Sequence, residues 1–331
     1  MVKMISIIYG TRPEYLKYKT LLKKFNKENI KYQLIKISQQ KDLCIDFPFD
    51  REISIKEFGS RLNSIFSIIP ELETQIKDSK YVMVHGDTAT SFVSCICAFN
   101  MNIPVIHLEA GLRTYDTNNP YPEEAYRQCI SSMTSIHLCP TKTDLKNLKN
   151  EKKKGKKYLT GNTVLDNLKG IVPTTKNEVI ITLHRRENHK LINDWVSEIE
   201  SVSKLYPEYQ FTFICHPNPV VKQAATMFKN VQVISPLSYD DLVAKLSSCS
   251  FIITDSGGLQ EEGSWFGKKV LICRNTTERK QSLGKTSLLC KKPNKIKSKL
   301  NKLLQLNNNT KCPFGDGNAC KKIVKIMKDL L

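Results

Sequence analysis

The chain has 331 residues, a formal charge of +19, and 25% charged and 40% hydrophobic residues. That length exceeds what one core usually holds, so two domains are expected. The absence of a long uninterrupted apolar run excludes a helical membrane span, and no membrane partner is expected.

The charge raises the question of a nucleic-acid partner. Its distribution argues against one. The basic residues are 42 Lys and nine Arg. The lysines gather at 152–157 and 291–302 in polar, Asn-bearing segments without interleaved aromatics, as on solvated faces. Seven arginines (Arg12, Arg113, Arg127, Arg185, Arg186, Arg274 and Arg279) instead fall in short motifs where a planar fork can grip phosphate or carboxylate. The eleven cysteines are scattered, mostly in apolar segments, and read as reduced thiols of a cytoplasmic protein. No His/Asp/Glu pair has zincin spacing, so no metal is expected.

Met4–Tyr9 reads as a buried strand and belongs to the fold, not to a signal peptide. It runs into Gly10-Thr11-Arg12-Pro13-Glu14 and a helix to about Asn26, an arrangement suited to anions, with Arg12 and Lys17 at its mouth. Tyr32–Ser38 is a second strand ending in Gln39-Gln40. The loop Asp46–Glu57 has no clear period, and one helix is expected over Leu62–Ile76.

The stretch from Val84 to Arg127 is the most informative. Strands Tyr81–Val84 and Val105–Leu108 end in His85-Gly86-Asp87-Thr88 and Glu109-Ala110-Gly111, with a crossover helix, Ser91–Asn100, between them. Glu123 and Glu124 open the next helix, and Arg127 lies one turn on. Carboxylates at the C-terminal ends of parallel strands sit where open sheets bind ligands. Three of them (Asp87, Glu109, Glu123) with Arg127 suit proton chemistry on an anionic substrate. Each acid taken singly could also be a helix cap or salt-bridge partner. Asp116 and Glu124 read as solvent-facing or capping.

Ser135–Cys139 and Lys157–Thr160 are further strands, and Lys169–Lys176 is the best domain boundary. The second half repeats the rhythm. Glu178–Leu183 ends in His184-Arg185-Arg186, Phe211–Cys215 in His216-Pro217-Asn218-Pro219, Phe251–Thr254 in Asp255-Ser256-Gly257-Gly258, and Lys269–Cys273 in Arg274 to Arg279. Helices are expected at Trp195–Tyr206, Tyr239–Ser247, from Leu259, and in the tail Cys320–Leu331. The turn at Ser256, Gly257 and Gly258 before a helix can cradle a diphosphate or can be an ordinary capped helix. Glu262, one turn in, could hold ribose hydroxyls. His184 could be a base, a phosphate donor or a core residue, and the neighbouring arginines would lower its pKa. His216 is structural or contacts a nucleotide base. His85, His107 and His137 read as strand residues without a role.

Ten ordered segments (GTRPE, HGDT, HLEAGLRT, PEEAYR, TGNTVLDNL, HRREN, HPNP, DSGGLQEE, RNTTER and FGDGNAC) resemble those of the non-hydrolysing UDP-N-acetylglucosamine 2-epimerases, over essentially the whole chain. The resemblance implies an α/β protein of two doubly wound Rossmann-like domains facing across a cleft, like the GT-B glycosyltransferases. Residues 1–168 would form the sugar-handling domain, with the helix 313–331 packing back on it, and 169–312 the nucleotide-binding domain. It implies reversible C2 epimerisation by elimination of UDP to 2-acetamidoglucal and re-addition, with no cofactor, in a cytoplasmic homodimer acting on a UDP-sugar. By motif match Asp87, Glu109, Glu123, Arg127, His184 and Lys17 are the catalytic candidates. Arg12, Arg113, Arg185, His216, Ser256, Gly257, Gly258, Glu262 and Arg279 are the substrate- and nucleotide-binding candidates. A hydrolysing 2-epimerase and a GT-B glycosyltransferase are the alternatives. Gln39-Gln40 departs from the usual Gln-His, and the segment from there to Tyr81 is short, which puts allosteric activation by a second UDP-sugar in doubt.

Overall fold

A computed structural model describes residues 4–38, 47–307 and 311–331, with only the backbone of Arg61. The Gln39-Gln40 departure and the start of the aperiodic loop lie outside the described residues. The chain separates into two compact units, Met1–Asn167 with Gly315–Leu331, and Leu168–Phe314.

The first unit runs β1 (Met4–Tyr9), α1 (Arg12–Lys27), β2 (Tyr32–Ile37), β3 (Arg51–Ile53), α2 (Arg61–Phe66), α3 (Ile69–Ile76) and β4 (Ser79–His85). It continues with α4 (Ala89–Asn100), β5 (Val105–Leu108), α5 (Glu123–Met133), β6 (Ile136–Cys139), α6 (Lys142–Asn150) and β7 (Lys156–Leu159). The strands form one parallel sheet in the order β3-β2-β1-β4-β5-β6-β7. Its central strands are mostly apolar because helices cover both faces. One face packs Ile5, Ile7 and Met83 with Leu21 and Phe25 of α1, and the other packs Ile8, Val82 and Val84 with Val93 and Ala98 of α4.

The second unit runs β8 (Glu178–Thr182), α7 (Ile192–Leu205), β9 (Gln210–Ile214), α8 (Pro219–Ala225), β10 (Gln232–Ile234) and α9 (Tyr239–Ser248). It ends with β11 (Phe251–Thr254), α10 (Gly257–Trp265), β12 (Lys269–Ile272), β13 (Ser287–Leu289) and α11 (Ile296–Leu304). Its parallel sheet has the order β10-β9-β8-β11-β12-β13. The last helix, α12 (Ala319–Leu330), returns to the first unit, where Cys320, Ile323 and Met327 join the α1 side of the core. Asp166 holds its start by accepting the amides of Ala319 and Cys320, both at 3.0 Å.

Some local readings change. The single helix expected over Leu62–Ile76 is two, α2 and α3. Pro70 has no N–H to continue the helical ladder, and the Ser67 hydroxyl donates to the Ser64 carbonyl at 2.7 Å to close the first piece. β3 lies in the aperiodic loop. It is three residues long with only Ile53 buried, too short to show alternation. The lysine-rich segment at 291–302 contains α11, which buries Ile296, Leu300 and Leu303 and turns its lysines outward.

Two strand histidines are buried without charge. His107 shares a 2.7 Å hydrogen bond through Nε2 with the Gly86 carbonyl, and its Nδ1 has no partner among the described residues. Burial pushes its pKa down to about 3, and that of His137 down to about 4. Both folded values lie below the ordinary 6.5, so their contribution to stability is complete above pH 6.5 and is lost as pH falls through those values. The urea midpoint is therefore expected to drop steadily from pH 6.5 to 4, and His107→Gln, which keeps a donor for Gly86, to flatten that slope. An unchanged slope in the variant would assign the acid lability elsewhere.

Candidate active site

In each unit the motif residues collect at the C-terminal edge of the sheet, around the point where strand order reverses. That point is β1/β4 in the first unit and β8/β11 in the second. Loops there diverge to opposite faces and leave backbone groups and side chains open to a ligand.

In the first unit Glu109 ends β5 with φ +64°, a left-handed conformation that a non-glycine residue adopts at a cost. Three groups hold it. Lys17 of α1 donates to Oε1 at 2.5 Å, Asn162 Nδ2 donates to the same oxygen at 2.8 Å, and His85 Nε2 stands 3.4 Å from Oε2. The side chains of Lys17 and Glu109 are each 9% exposed, so this ion pair is largely withdrawn from water and stiff. Beside it Asp87, at the end of β4, keeps 30% of its side chain exposed. Arg127 grips one of its oxygens from two nitrogens, at 2.7 and 2.6 Å, and also donates to Glu124 at 2.6 Å.

The N-cap of α5 is Pro122, and Glu124, expected to be solvent-facing or capping, is buried. Burial pushes its pKa up, but the Thr114 amide and the Arg127 charge outweigh that and leave it below the usual range. It folds the preceding loop onto α5 by accepting the Thr114 and Tyr115 amides at 2.9 and 3.1 Å. Glu123 is the first residue of α5 and half-buried. Arg12, half-buried, is the first residue of α1.

Glu14 lies between two of these turns, and its place there is not expected from sequence. It is 2% exposed and accepts four hydrogen bonds: from the Gly10 amide and the Thr11 hydroxyl (both 2.9 Å), the Thr88 hydroxyl (2.6 Å) and the Ser91 hydroxyl (3.0 Å). It thereby ties the turn carrying Arg12 to the turn carrying Asp87. Burial raises its pKa, against those four donors. A signal was present, since Thr11-Arg12-Pro13-Glu14 has capping-box spacing. A β-carbon at Gly10 would stand 2.1 Å from the Thr90 hydroxyl, so the two turns meet with room only for glycine. His85 and Asn162, also not expected from sequence, carry no comparable local signal.

Arg113 departs from its expected role. It is 2% exposed, and its guanidinium is taken up by Glu151 at 2.8 and 3.0 Å, Ser131 at 2.9 Å and the Leu112 carbonyl at 2.8 Å. It is a framework residue joining β5 to α5 and α6.

In the second unit Asp255 is the organiser. Fully buried at the end of β11, it accepts the His184 and Arg185 amides and the Asn188 side chain, each at 2.9 Å, and stands 3.3 Å from His184 Nδ1. Burial pushes the His184 pKa down, Asp255 opposes this, and Arg185 adds to it in the expected direction. The His184 side chain remains 35% exposed. Its ring stacks on His216 at 5.4 Å and 15°. His216 Nδ1 accepts the Asn218 amide at 3.2 Å, leaving Nε2 to carry the proton when the ring is neutral.

Ser256 occupies the N-cap of α10, yet its hydroxyl makes no cap hydrogen bond. The first-turn amides thus keep the open, positive character that suits a phosphate. A β-carbon at Gly257 would come within 2.5 Å of the Arg279 guanidinium, while at Gly258 its nearest neighbour would be the Ser256 hydroxyl at 4.0 Å. Arg279 is 6% exposed and ion-paired with Glu261 at 2.6 Å and with Glu278. It supports the turn from beneath. Glu262 is buried one turn into α10.

The structure thus brings together Lys17, Glu109, Asp87 and Arg127 in one unit, and His184, Arg185, His216 and the Ser256–Gly258 turn in the other. The model of the family described as UDP-N-acetylglucosamine 2-epimerase matches residues 26–328 of this chain. The chain belongs to that family.

A UDP-N-acetylglucosamine 2-epimerase from Campylobacter jejuni is 33% identical, over 99% of this chain and 98% of its own length. That alignment spans 377 positions, more than the 331 residues available here, so the pairing needs gaps in this shorter chain. The crystal structure of the Neisseria meningitidis UDP-GlcNAc 2-epimerase bound to UDP-GlcNAc superposes with a TM-score of 0.87 at 31% identity, covering 99% of this chain and 100% of that one. The Methanocaldococcus jannaschii enzyme in complex with UDP-GlcNAc and UDP gives 0.88 at 26% identity, covering 98% and 99%. The two parallel α/β sheets of this family member are those of the GT-B-like epimerases.

Proposed function

We propose that this family member interconverts UDP-N-acetylglucosamine and UDP-N-acetylmannosamine in the cytoplasm, without net hydrolysis. The observation that carries the reading is the pairing of Lys17–Glu109 with Asp87–Arg127 at one sheet edge. Two carboxylates there sit in different settings, one withdrawn from water and one partly open. Distinct environments are what separate the roles of two acids.

The C2 hydrogen of the sugar is not acidic, so departure of UDP must lead. As the C1–O bond breaks, its electron pair leaves with the diphosphate and C1 gains oxocarbenium character, which nearby carboxylates stabilise. One carboxylate takes the C2 proton, and the C–H electrons become the C1=C2 bond of 2-acetamidoglucal. In the second half UDP adds back to C1 while a proton returns to C2 from the opposite face. Glu123 at the start of α5 is the third acid available for this transfer.

The α10 turn at Ser256, Gly257 and Gly258 suits the diphosphate, with Arg185 and a neutral, hydrogen-bond-donating His184 of the same unit as further partners. Glu262 suits the ribose and His216 the base. The route calls for no cofactor and no metal.

Incubation with UDP-N-acetylglucosamine alone in heavy water, followed by proton NMR, tests this. Expected are UDP-N-acetylmannosamine and deuterium at C2 of both sugars. Free N-acetylmannosamine rising in step with UDP would show a hydrolysing enzyme instead. Retention of the C2 hydrogen would reject elimination.

A further inference from the structure

Two of the ten ordered segments, TGNTVLDNL and FGDGNAC, supply no group to the proposed chemistry. The first ends where the chain leaves the first unit, after Asn167, and the second begins where it returns, at Gly315. Within that unit both converge on the Lys17–Glu109 pair. Asn162 is 3% exposed, and its Nδ2 donates to Glu109 Oε1 at 2.8 Å. Its Oδ1 accepts the Val164 amide at 3.1 Å, so the side chain is oriented with its nitrogen toward Glu109. Five residues on, Asn167 Nδ2 donates to the Leu16 carbonyl at 2.8 Å, and its Oδ1 takes the Thr20 hydroxyl. Leu16 and Thr20 flank Lys17 on α1. One short helical turn, Thr163–Asn167, and the asparagine before it thus hold both members of the ion pair, while Asp166 of the same turn holds the start of α12.

The returning chain presses on this turn. Gly315 has φ +144°, and a β-carbon there would stand 3.2 Å from Gly161 Cα and 3.3 Å from the Asn162 nitrogen. We propose that Asn162 is a positioning residue for proton transfer at Glu109, and that Gly315 fixes its place. The proposal rests on the proposed reaction. With Lys17 and Asn162 both donating to Oε1, the carboxylate cannot rotate without breaking two charge-assisted hydrogen bonds. Oε1 is thereby committed, and Oε2 is the oxygen that exchanges a proton with C2. Oε2 lies toward the turn bearing Asp87, since a β-carbon at Gly86 would stand 3.3 Å from it. Lys17 from α1 and His85 from β4 face the same carboxylate. A donor on the carboxylate favours its charged form, so Asn162 also sets how readily Glu109 takes up a proton.

Asn162→Ser tests this. Its hydroxyl can still accept the Val164 amide, as serine does in turns, but falls short of Glu109. Expected is a fall in kcat of about 10–100-fold, the size of a lost hydrogen bond to a charged group, with KM for UDP-N-acetylglucosamine essentially unchanged. The acidic limb of the kcat–pH profile should move to higher pH, because the charged form of Glu109 has lost a donor. A residue that only shaped the turn would leave that limb in place. Gly315→Ala, which alters no group touching Glu109, should reproduce the loss in weaker form. Proton–nitrogen NMR of the Asn162 side-chain amide needs neither turnover nor a variant at Asn162. Its signal is expected to be protected from exchange in the unaltered protein and to shift in Glu109→Gln. If the unaltered protein makes no UDP-N-acetylmannosamine, the proposed reaction fails. If it does, an Asn162→Ser variant with unaltered kcat, a loss confined to KM, an unmoved acidic limb, or an Asn162 amide indifferent to Glu109→Gln would each overturn the positioning role alone. Full turnover in Gly315→Ala would overturn the part given to the returning chain.

Discussion

Glu109→Gln is expected to lower epimerase turnover by about 10³-fold while leaving UDP binding essentially intact. The substitution keeps shape and removes charge and basicity. It leaves Lys17 in a nearly dry setting opposite a neutral amide, so some stability is lost as well. That second effect has to be separated from catalysis, and the double variant Lys17→Met/Glu109→Gln does so. If Glu109 serves only as counter-ion to Lys17, the double variant should recover stability and turn over as fast as Lys17→Met alone. The expected result is recovery of the thermal midpoint with turnover well below that of Lys17→Met, read from melting curves and product NMR on the same preparations. Turnover near that of the unaltered protein in Glu109→Gln would remove this residue from the chemistry. The left-handed backbone at Glu109 belongs to the same argument. Strain of about 1–3 kcal/mol at such a residue is kept where surrounding contacts over-determine its position. Lys17, Asn162 and His85 supply those contacts.

Glu14→Leu is expected to cost about 3 kcal/mol of stability and to reduce turnover more than tenfold, although Glu14 touches none of the proposed reacting atoms. Leucine fills most of the volume but leaves the Gly10 amide and up to three hydroxyls without their acceptor. The turns bearing Arg12 and Asp87 would then lose their shared tether. Glu14→Gln, which keeps one acceptor oxygen, should retain most of the turnover, a rescue that distinguishes tethering from simple space-filling. The pH dependence gives a second readout. The folded pKa of Glu14 is raised, so its contribution to stability is greatest below the ordinary carboxylate value and shrinks as pH rises through the folded one. The destabilisation seen in Glu14→Gln should therefore be larger near pH 4.5 than near pH 7.5. Urea titrations of both proteins at the two pH values check the sign, and an equal difference at both would show that Glu14 does not titrate with folding.

What local sequence could reveal follows from what locally determines structure. β1, β5 and β11 are apolar runs that stop abruptly in Gly, Asp, Glu or Ser, so each strand and its ligand-bearing end was legible together. α2 and α3 look like one helix in sequence because their apolar spacing continues across the break, and only Pro70 and the Ser67 hydroxyl mark the interruption. β3 leaves no trace in the pattern because a strand held by one neighbour needs no alternation of its own. α11 was hidden because its lysines dominate the composition, although Ile296, Leu300 and Leu303 keep helical spacing.

The candidate site divides in the same way. Arg113 and Arg127 stand in equally suggestive motifs, yet one is locked to Glu151 and the other grips Asp87. Nothing within a few residues of either distinguishes them. The partners lie 38 and 40 residues away, and strand order decides which one each guanidinium reaches.

The sequence by itself determined the alternating strand–helix rhythm, the family, and the positions at which strands end in acids, histidines and glycines, because all of these are written in short-range pattern and residue type. The tertiary structure alone decided that Lys17 meets Glu109 across 92 residues, that Glu14 joins two turns, that Asp255 sets His184, and that Arg113 belongs to the framework. Those pairings depend on which strands become neighbours and which way a side chain leaves a strand end. Both are settled by the packing of the whole sheet, where a buried charge must find its partner or not be buried at all.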